Sequence, residues 1–306
     1  MEALVNRADI ALYRAKGAGR GHAVFYELEM DEALAEKRRL KKKLRTALVK
    51  GELFLQYQAV FDTETEIVTS FEALMRWENP KRGLISPTEF IPIAEDAGLI
   101  VELSHWGLME ACKQAKEWPD QIGVSFNLSP LLFAGDEVPK LVSDVLEKSG
   151  LDPARLEIEI TENLFIENTD IVVRQLQEIK NTGVLVSIDN FGAGYSSFSY
   201  LKRFPFDKLK VDRSFVSDLT TDKVSKGILS AIVEIGKTLE LQIVVEGVDT
   251  HEQREIVEKI SCTWMQGALF SKPISATNVA GYLLSVEAER LKKSNTPDFG
   301  LQRAGV

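Results

Sequence analysis

Eight short runs rich in Val, Ile, Leu and Phe recur along this chain, and longer segments of helical spacing lie between most of them. That alternation limits the possible folds more than any other feature. The runs are 53–61 (LFLQYQAVF), 68–76 (VTSFEALMR), 122–128 (IGVSFNL), 155–161 (RLEIEIT), 184–189 (VLVSID), 208–212 (KLKVD), 242–248 (QIVVEGV) and 263–269 (TWMQGAL). Helices are predicted over 87–97, 101–117, 137–149, 169–181, 223–239, 250–260 and 276–292. Within them Leu141, Val145 and Leu146 repeat at helical spacing, as do Val172, Leu176 and Ile179. Ser86 before Pro87 reads as a helix start, and Gly150 and Gly183 follow helix ends. Alternating strands and helices predict an α/β fold, a modified TIM-type (β/α)8 barrel, with a doubly wound open sheet as the alternative. The link at 62–67 (DTETEI) is too short for a crossover helix. The first strand is therefore expected to be antiparallel, paired with the second as a hairpin.

Polar residues interrupt these apolar strands near their C-terminal ends: Glu72, Asn127, Glu159, Asp189, Lys210 with Asp212, Glu246 and Gln266. In a barrel all those ends open on one face, where active sites lie, so positions spread along the chain converge on one mouth. A single acid at a strand end is most often solvated or a helix cap. The same exception on seven consecutive strands is not explained that way. Several carboxylates brought together repel and raise one another's pKa, which a divalent cation relieves. Oxygen donors suit Mg²⁺ or Mn²⁺ better than Zn²⁺. Several acids can hold two ions about 3.5–4 Å apart, the arrangement that drives in-line displacement at phosphorus. Lys210 then reads as an electrostatic aid to the attacking water or the phosphate, and Arg76 as a bidentate phosphate clamp.

Composition narrows the partners. The chain has 306 residues with 44% hydrophobic content, enough for one large domain or two smaller ones. Thirty-seven Lys and Arg against 46 Asp and Glu give a net charge of −9, a poor balance for binding nucleic acid or an anionic membrane. Cys112 and Cys262 have no Cys or His at ligand spacing and read as core residues in a reducing compartment. His22, His105 and His251 are too scattered for a histidine zinc site. No apolar run reaches the roughly 18 residues that span a bilayer, and the start (MEALVNRADI) is mixed and charged, so a cytoplasmic location is expected. The run Lys37-Arg38-Arg39-Leu40-Lys41-Lys42-Lys43 reads as a solvated helix face, with a nucleic-acid contact as the sharper alternative.

Glu72-Ala73-Leu74 with Arg76 resembles the signature of the EAL family of cyclic di-GMP phosphodiesterases. The resemblance extends over about 45–288. It includes Phe126-Asn127-Leu128-Ser129-Pro130, Glu157-Ile158-Glu159-Ile160-Thr161-Glu162, Asp189-Asn190-Phe191-Gly192-Ala193-Gly194-Tyr195-Ser196-Ser197, Leu209-Lys210-Val211-Asp212-Arg213-Ser214-Phe215, Glu246-Gly247-Val248 and Gln266-Gly267, in the family's order and spacing. It implies hydrolysis of cyclic di-GMP to linear pGpG with Mg²⁺ or Mn²⁺, two ions being expected. It also implies Glu72, Asn127, Glu159, Asp189 and the residue at Asn190 as metal ligands, and Glu246 as ligand or general base. Lys210 corresponds to the lysine near the attacking water. Gln58, Leu74, Arg76, Asp212 and Gln266 fall on the substrate side. Glu162 corresponds to a glutamate anchoring the glycine-containing loop, and Asp249 to a neighbouring outer position. Residues 1–26 (one helix and a short strand, HAVFY) resemble the C-terminal end of a GGDEF, diguanylate cyclase-like, domain without the GGDEF motif. The organisation this implies is a remnant over 1–26, a linker helix over 27–50, the EAL barrel over 51–290 and a flexible tail over 291–306. A homodimer, formed near the loop after Asp189, is a further implication, as is an upstream GGDEF or sensor partner.

Four positions depart from the family pattern. Asn190 stands where a second aspartate is usual, so the second ion is expected to bind more weakly and the shared water to be less acidic. Asp249 replaces a Glu, Ala268 replaces an aromatic that offers a stacking surface, and Ala59 replaces a Pro. These departures keep a second reading open: a weak or inactive EAL domain acting as a cyclic di-GMP receptor or signalling module. The two glycines after Asp189 read as a tight strand-to-helix loop, since the third glycine of a dinucleotide fingerprint is missing.

Overall fold

The computed structural model describes residues 23–165, 169–192, 201, 203, 204 and 206–294, together with Leu4, Val5, Arg7, Ala8, Ala11, Leu12 and Ala15. The chain groups into two compact units, one of residues 1–53 with 76–100 and one of 54–75 with 101–306.

The larger unit is a barrel. Its strands are β1 (Leu53–Asp62), β2 (Val68–Asn79, up to Met75 in this unit), β4 (Gly123–Asn127), β5 (Leu156–Thr161), β6 (Leu185–Phe191), β7 (Lys208–Val211), β8 (Gln242–Val245) and β9 (Trp264–Met265). Their order, β1-β9-β8-β7-β6-β5-β4-β2, closes through a β1–β2 pairing, so eight strands form a ring with no free edge. All neighbours from β2 through β9 are parallel, while β1 is antiparallel to β9. The open-sheet alternative is therefore excluded, and the expected antiparallel first strand is found. A two-residue strand β10 (Ile274–Ser275) adds to β1 beyond β9. The barrel strands bury near-continuous apolar runs, as strands covered on both faces must. Tyr57 and Phe71 pack their rings on Trp118 at 5.2 and 5.1 Å.

The outer helices of this unit are α3 (Ile100–Lys116), α4 (Val138–Ser149), α5 (Thr169–Lys180), the single turn α6 (Ser214–Ser217), α7 (Lys223–Thr238), α8 (His251–Ile260) and α9 (Ala276–Ser294). Local chemistry fixes their ends. Asp222 accepts from the amides of Val224 and Ser225 to start α7, and a Thr250–Gln253 capping box starts α8. Gly150 ends α4 in the left-handed conformation. Helix α9 runs to Ser294, so residues 291–294 of the expected tail are helical; 295–306 lie outside the described residues.

The smaller unit holds α1 (Leu28–Ala47), α2 (Pro87–Ala97) and a hairpin of the end of β2 with β3 (Gly83–Ile85). Leu40, Leu44 and Ala47 are buried at helical spacing on α1. The basic run spends its cations locally: Lys37 bonds Asp96 at 2.5 Å, Lys41 the Asp96 carbonyl, Arg39 Glu36 and Lys43 Asn79. Residues 23–26 of the expected HAVFY strand are described without any ladder partner, a correction to that expectation. No helix among the described residues is long and apolar enough to cross a membrane.

Candidate active site at the barrel mouth

The residues singled out at strand ends meet around one ammonium group. Lys210 Nζ, on β7, lies 3.1 Å from Glu72 Oε2 on β2, 2.8 Å from Glu159 Oε2 on β5, 3.8 Å from Asp189 Oδ1 on β6 and 2.8 Å from Glu246 Oε1 just past β8. Asn127 Nδ2, on β4, donates to Glu72 Oε1 at 2.9 Å and to Glu159 Oε2 at 2.8 Å. Gln266 Nε2, just past β9, donates to Glu72 Oε2 at 2.7 Å and to Gln58 Oε1 at 3.4 Å, and Gln58 is itself held by Ser271. The period-two alternation of the strands is what delivers these side chains to one face.

Four carboxylates against one ammonium leave an excess of three negative charges, and Glu72, Glu159, Asp189 and Lys210 are buried. Burial first, and then repulsion from Glu72, pushes the Glu159 carboxyl up to about 8 despite Lys210. Burial, with repulsion from Glu246 and Glu72, pushes Asp189 up to about 7, again against Lys210. Burial and Glu72 push Glu246 up to about 7. For Lys210 burial opposes the charge, but Glu159, Glu246, Glu72 and Asp189 outweigh it and raise its pKa well above the ordinary lysine value.

A one-residue bulge shapes the Asp189 corner. The β6–β7 register runs Ile188 to Leu209 and then Phe191 to Val211, three steps against two. Asn190 takes up the extra residue with φ 55°, a left-handed conformation that Asn tolerates better than most. Its backbone NH and its Nδ2 both donate to Asp189, each at 2.8 Å. Glu162 is buried behind this corner and accepts from the Gly192 amide at 3.4 Å. The loop at 193–200, where dimer contacts are expected, lies outside the described residues.

Beside the carboxylates a cavity of about 510 Å³ is lined by Gln58, Glu72, Arg213, Glu246, Asp249 and Gln266, among others. Asp249 accepts from the Ala268 amide at 2.7 Å. Asp212 does not line this cavity; it is half-buried and accepts from the Ser214 amide to start α6. Leu74 is half-buried two residues beyond Glu72 on β2. Arg76 belongs to the smaller unit and is half-buried there. Arg213, Ser217 and Gln253 line the cavity without having been singled out from the sequence. Gly247 was the available signal for Arg213: at φ 75°, an added Cβ would meet Arg213 Cβ at 2.5 Å.

Among the described residues no three His, Cys, Asp or Glu side chains form a ready metal cage. The donor set nevertheless fits hard divalent cations, with buried oxygens and carboxyl pKa values raised by crowding, and Glu72, Glu159, Asp189 and Glu246 could hold one. Asn127 and Asn190 turn their amide nitrogens toward the acids, so either one ligates a cation only after its amide rotates to present oxygen.

Comparison with known proteins matches residues 41–273 to the family described as EAL domain. The chain is 40% identical over 279 residues to the bifunctional diguanylate cyclase/cyclic di-GMP phosphodiesterase MucR of Pseudomonas aeruginosa, covering 90% of this chain and 41% of that protein. It is 36% identical over 277 residues to the cyclic di-GMP phosphodiesterase PdeR of Escherichia coli, covering 90% and 42%. The solved PaMucR phosphodiesterase in complex with c-di-GMP aligns with TM-score 0.76 at 40% identity, covering 79% of this chain and 99% of that one. The chain thus spans about two fifths of the length of these two curated relatives.

Proposed function

This chain belongs to the EAL-domain family, and on that premise we propose that it is a divalent-metal-dependent phosphodiesterase that opens cyclic di-GMP to linear pGpG. One observation carries the reading: four acidic side chains from four strands, set around Lys210 with three negative charges in excess. A purely structural core has no use for that imbalance. Glu72, Glu159, Asp189 and Glu246 would hold Mg²⁺ or Mn²⁺, most naturally as two ions. The ions supply the positive charge that draws in the phosphodiester and favours attack by water.

The chain's own groups account for the rest. Glu246, the least buried of the four acids, is the one placed to accept the proton of the attacking water. Lys210 stays protonated and fixes the orientation of Glu72, Glu159 and Glu246. It also faces the phosphoryl oxygens, whose negative charge is to be stabilised as the new P–O bond forms and the P–O3′ bond breaks, the departing O3′ taking up a proton from solvent. Gln266, anchored on Glu72, and Gln58, anchored on Ser271, line the cavity as substrate contacts, with Leu74, Arg76 and Asp212 as further substrate-side residues. Glu162 holds the turn after β6 in place through Gly192, and Asp249 holds the Ala268 backbone. Residues 1–26 fit the end of an upstream GGDEF-like domain, with α1 as the linker. The relative MucR, a bifunctional cyclase and phosphodiesterase, supports this organisation.

Asn190 favours a second reading. Its amide brings no charge and donates to Asp189, as suits a cyclic di-GMP receptor with little turnover. The test is conversion of cyclic di-GMP to pGpG by the purified protein with Mg²⁺ or Mn²⁺, against Glu72→Ala. Turnover lost in Glu72→Ala supports the enzyme. Tight ligand binding with no turnover at any metal concentration establishes the receptor instead.

A further inference from the structure

The mouth poses an electrostatic problem. An anionic dinucleotide must settle beside four carboxylates whose nearest cation, Lys210, is already shared among them. Asp249 joins Glu72 and Glu246 as a third acid in the cavity lining. Ions bound to the carboxylates answer for one phosphate. A cyclic dinucleotide carries two, and the second needs a cation of its own.

Arg213 is the one cation among the residues lining this cavity, and its guanidinium has no hydrogen bond or ion pair with any described residue. Arg213 is exposed, but its backbone is fixed. Asp212, immediately before it, accepts from the Ser214 amide at 2.9 Å. The Arg213 carbonyl accepts from Val216 and Ser217, each at 3.0 Å. Gln253 Nε2, buried, holds the Val216 carbonyl from α8 at 3.1 Å. The facing wall is pared back at Gly247, whose φ of 75° and missing Cβ make room for the Arg213 side chain. The turn therefore presents a guanidinium at the cavity, three residues beyond Lys210, with its donors uncommitted. Guanidinium is the side chain best matched to a phosphate, which it grips with two parallel hydrogen bonds.

We infer that Arg213 holds the second, non-reacting phosphate of the bound dinucleotide and so favours two-phosphate ligands over simple diesters. This rests on the cyclic di-GMP reading proposed above. Arg213 is a binding determinant and takes no part in the bond-breaking step. The test compares wild type, Arg213→Ala and Arg213→Lys on cyclic di-GMP and on bis(p-nitrophenyl) phosphate, which has a single phosphate. Losing a charged hydrogen-bond pair is expected to raise KM for cyclic di-GMP, or Kd if turnover is silent, by about tenfold or more in Arg213→Ala. The kcat should change far less, the defect on the single-phosphate diester should be several-fold smaller, and Arg213→Lys should recover part of the loss. An equal defect on both substrates, or an unchanged KM in a variant of an active wild type, overturns the inference alone. A wild type that neither binds nor cleaves cyclic di-GMP overturns the functional reading beneath it.

Discussion

Two layers of side chains, two residues apart on the same seven strands, behave in opposite ways. The mouth layer is Glu72, Asn127, Glu159, Asp189, Lys210, Glu246 and Gln266. Two positions earlier on those strands stand Ser70, Ser125, Glu157, Ser187, Lys208, Val244 and Trp264. The lower layer also contains buried charge, but one anion meets one cation: Lys208 is ion-paired with Glu157, and its ammonium lies 3.9 Å from the centre of the Trp264 ring. In the mouth layer four anions share one cation. Burial is common to both. What separates them is the balance of charge, and the unbalanced layer is the one that needs a charge brought from outside.

The largest expected effect lies in the mouth. Glu72→Ala is expected to lower turnover of cyclic di-GMP by about a thousandfold or more while the circular dichroism spectrum is retained. Next comes the lower layer, where the cost should fall on stability. Lys208→Met strands Glu157 and is expected to destabilise the fold by about 3–5 kcal/mol in urea unfolding, most of it recovered in the double variant with Glu157→Leu. If Lys208→Met instead spares stability and removes activity, the division between the layers fails.

The third prediction concerns pH. Glu159, held up to about 8, and Asp189 and Glu246, held up to about 7, sit above the ordinary carboxylate value near 4. Without metal the folded chain thus binds more protons than the unfolded chain across this window. Stability of the metal-free protein should fall as pH rises from about 4 to about 8. The raised Lys210 stays charged in both states there and adds no slope. Because ligands must ionise to hold Mn²⁺, affinity measured by calorimetry should weaken below pH 8, by up to about tenfold per pH unit for each proton released. A flat affinity between pH 6 and 8 would break the charge argument. The smallest effect is that of Asn190→Asp, which adds a charge at the mouth. It should raise activity a few-fold or lower the Mn²⁺ concentration needed for half-maximal rate. No change in either would mean that position 190 does not face the second ion.

The sequence made the mouth layer visible because period two forces a polar residue in an apolar strand to stand out. Glu159 within LEIEIT and Asp189 after VSI needed no structure to be noticed. The lower layer was less visible, since Lys208 begins β7 and Glu157 is only the second residue of β5, where charges read as flanking ones. Strand β9 is shorter than the predicted 263–269. Gly267 lies against the Val248 backbone, where an added Cβ would be 2.0 Å from the carbonyl oxygen, so the chain leaves the ladder after Met265. Strands β3 and β10, of three and two residues, are too short to leave a period. Arg213 escaped notice because an arginine in a turn is commonplace until its neighbours are known. The bulge left no apolar signature, although an Asn after an Asp at a strand end is compatible with a left-handed residue.

The bulge has a consequence for how such a protein can change over generations. Residue 190 sits in a backbone conformation that Asn and Asp both accept, and its side chain is exposed. Exchanging one for the other alters the charge at the mouth without disturbing the ladder on either side. A single-nucleotide change in the gene can therefore change the charge beside Asp189 while every strand, cap and core contact is inherited intact.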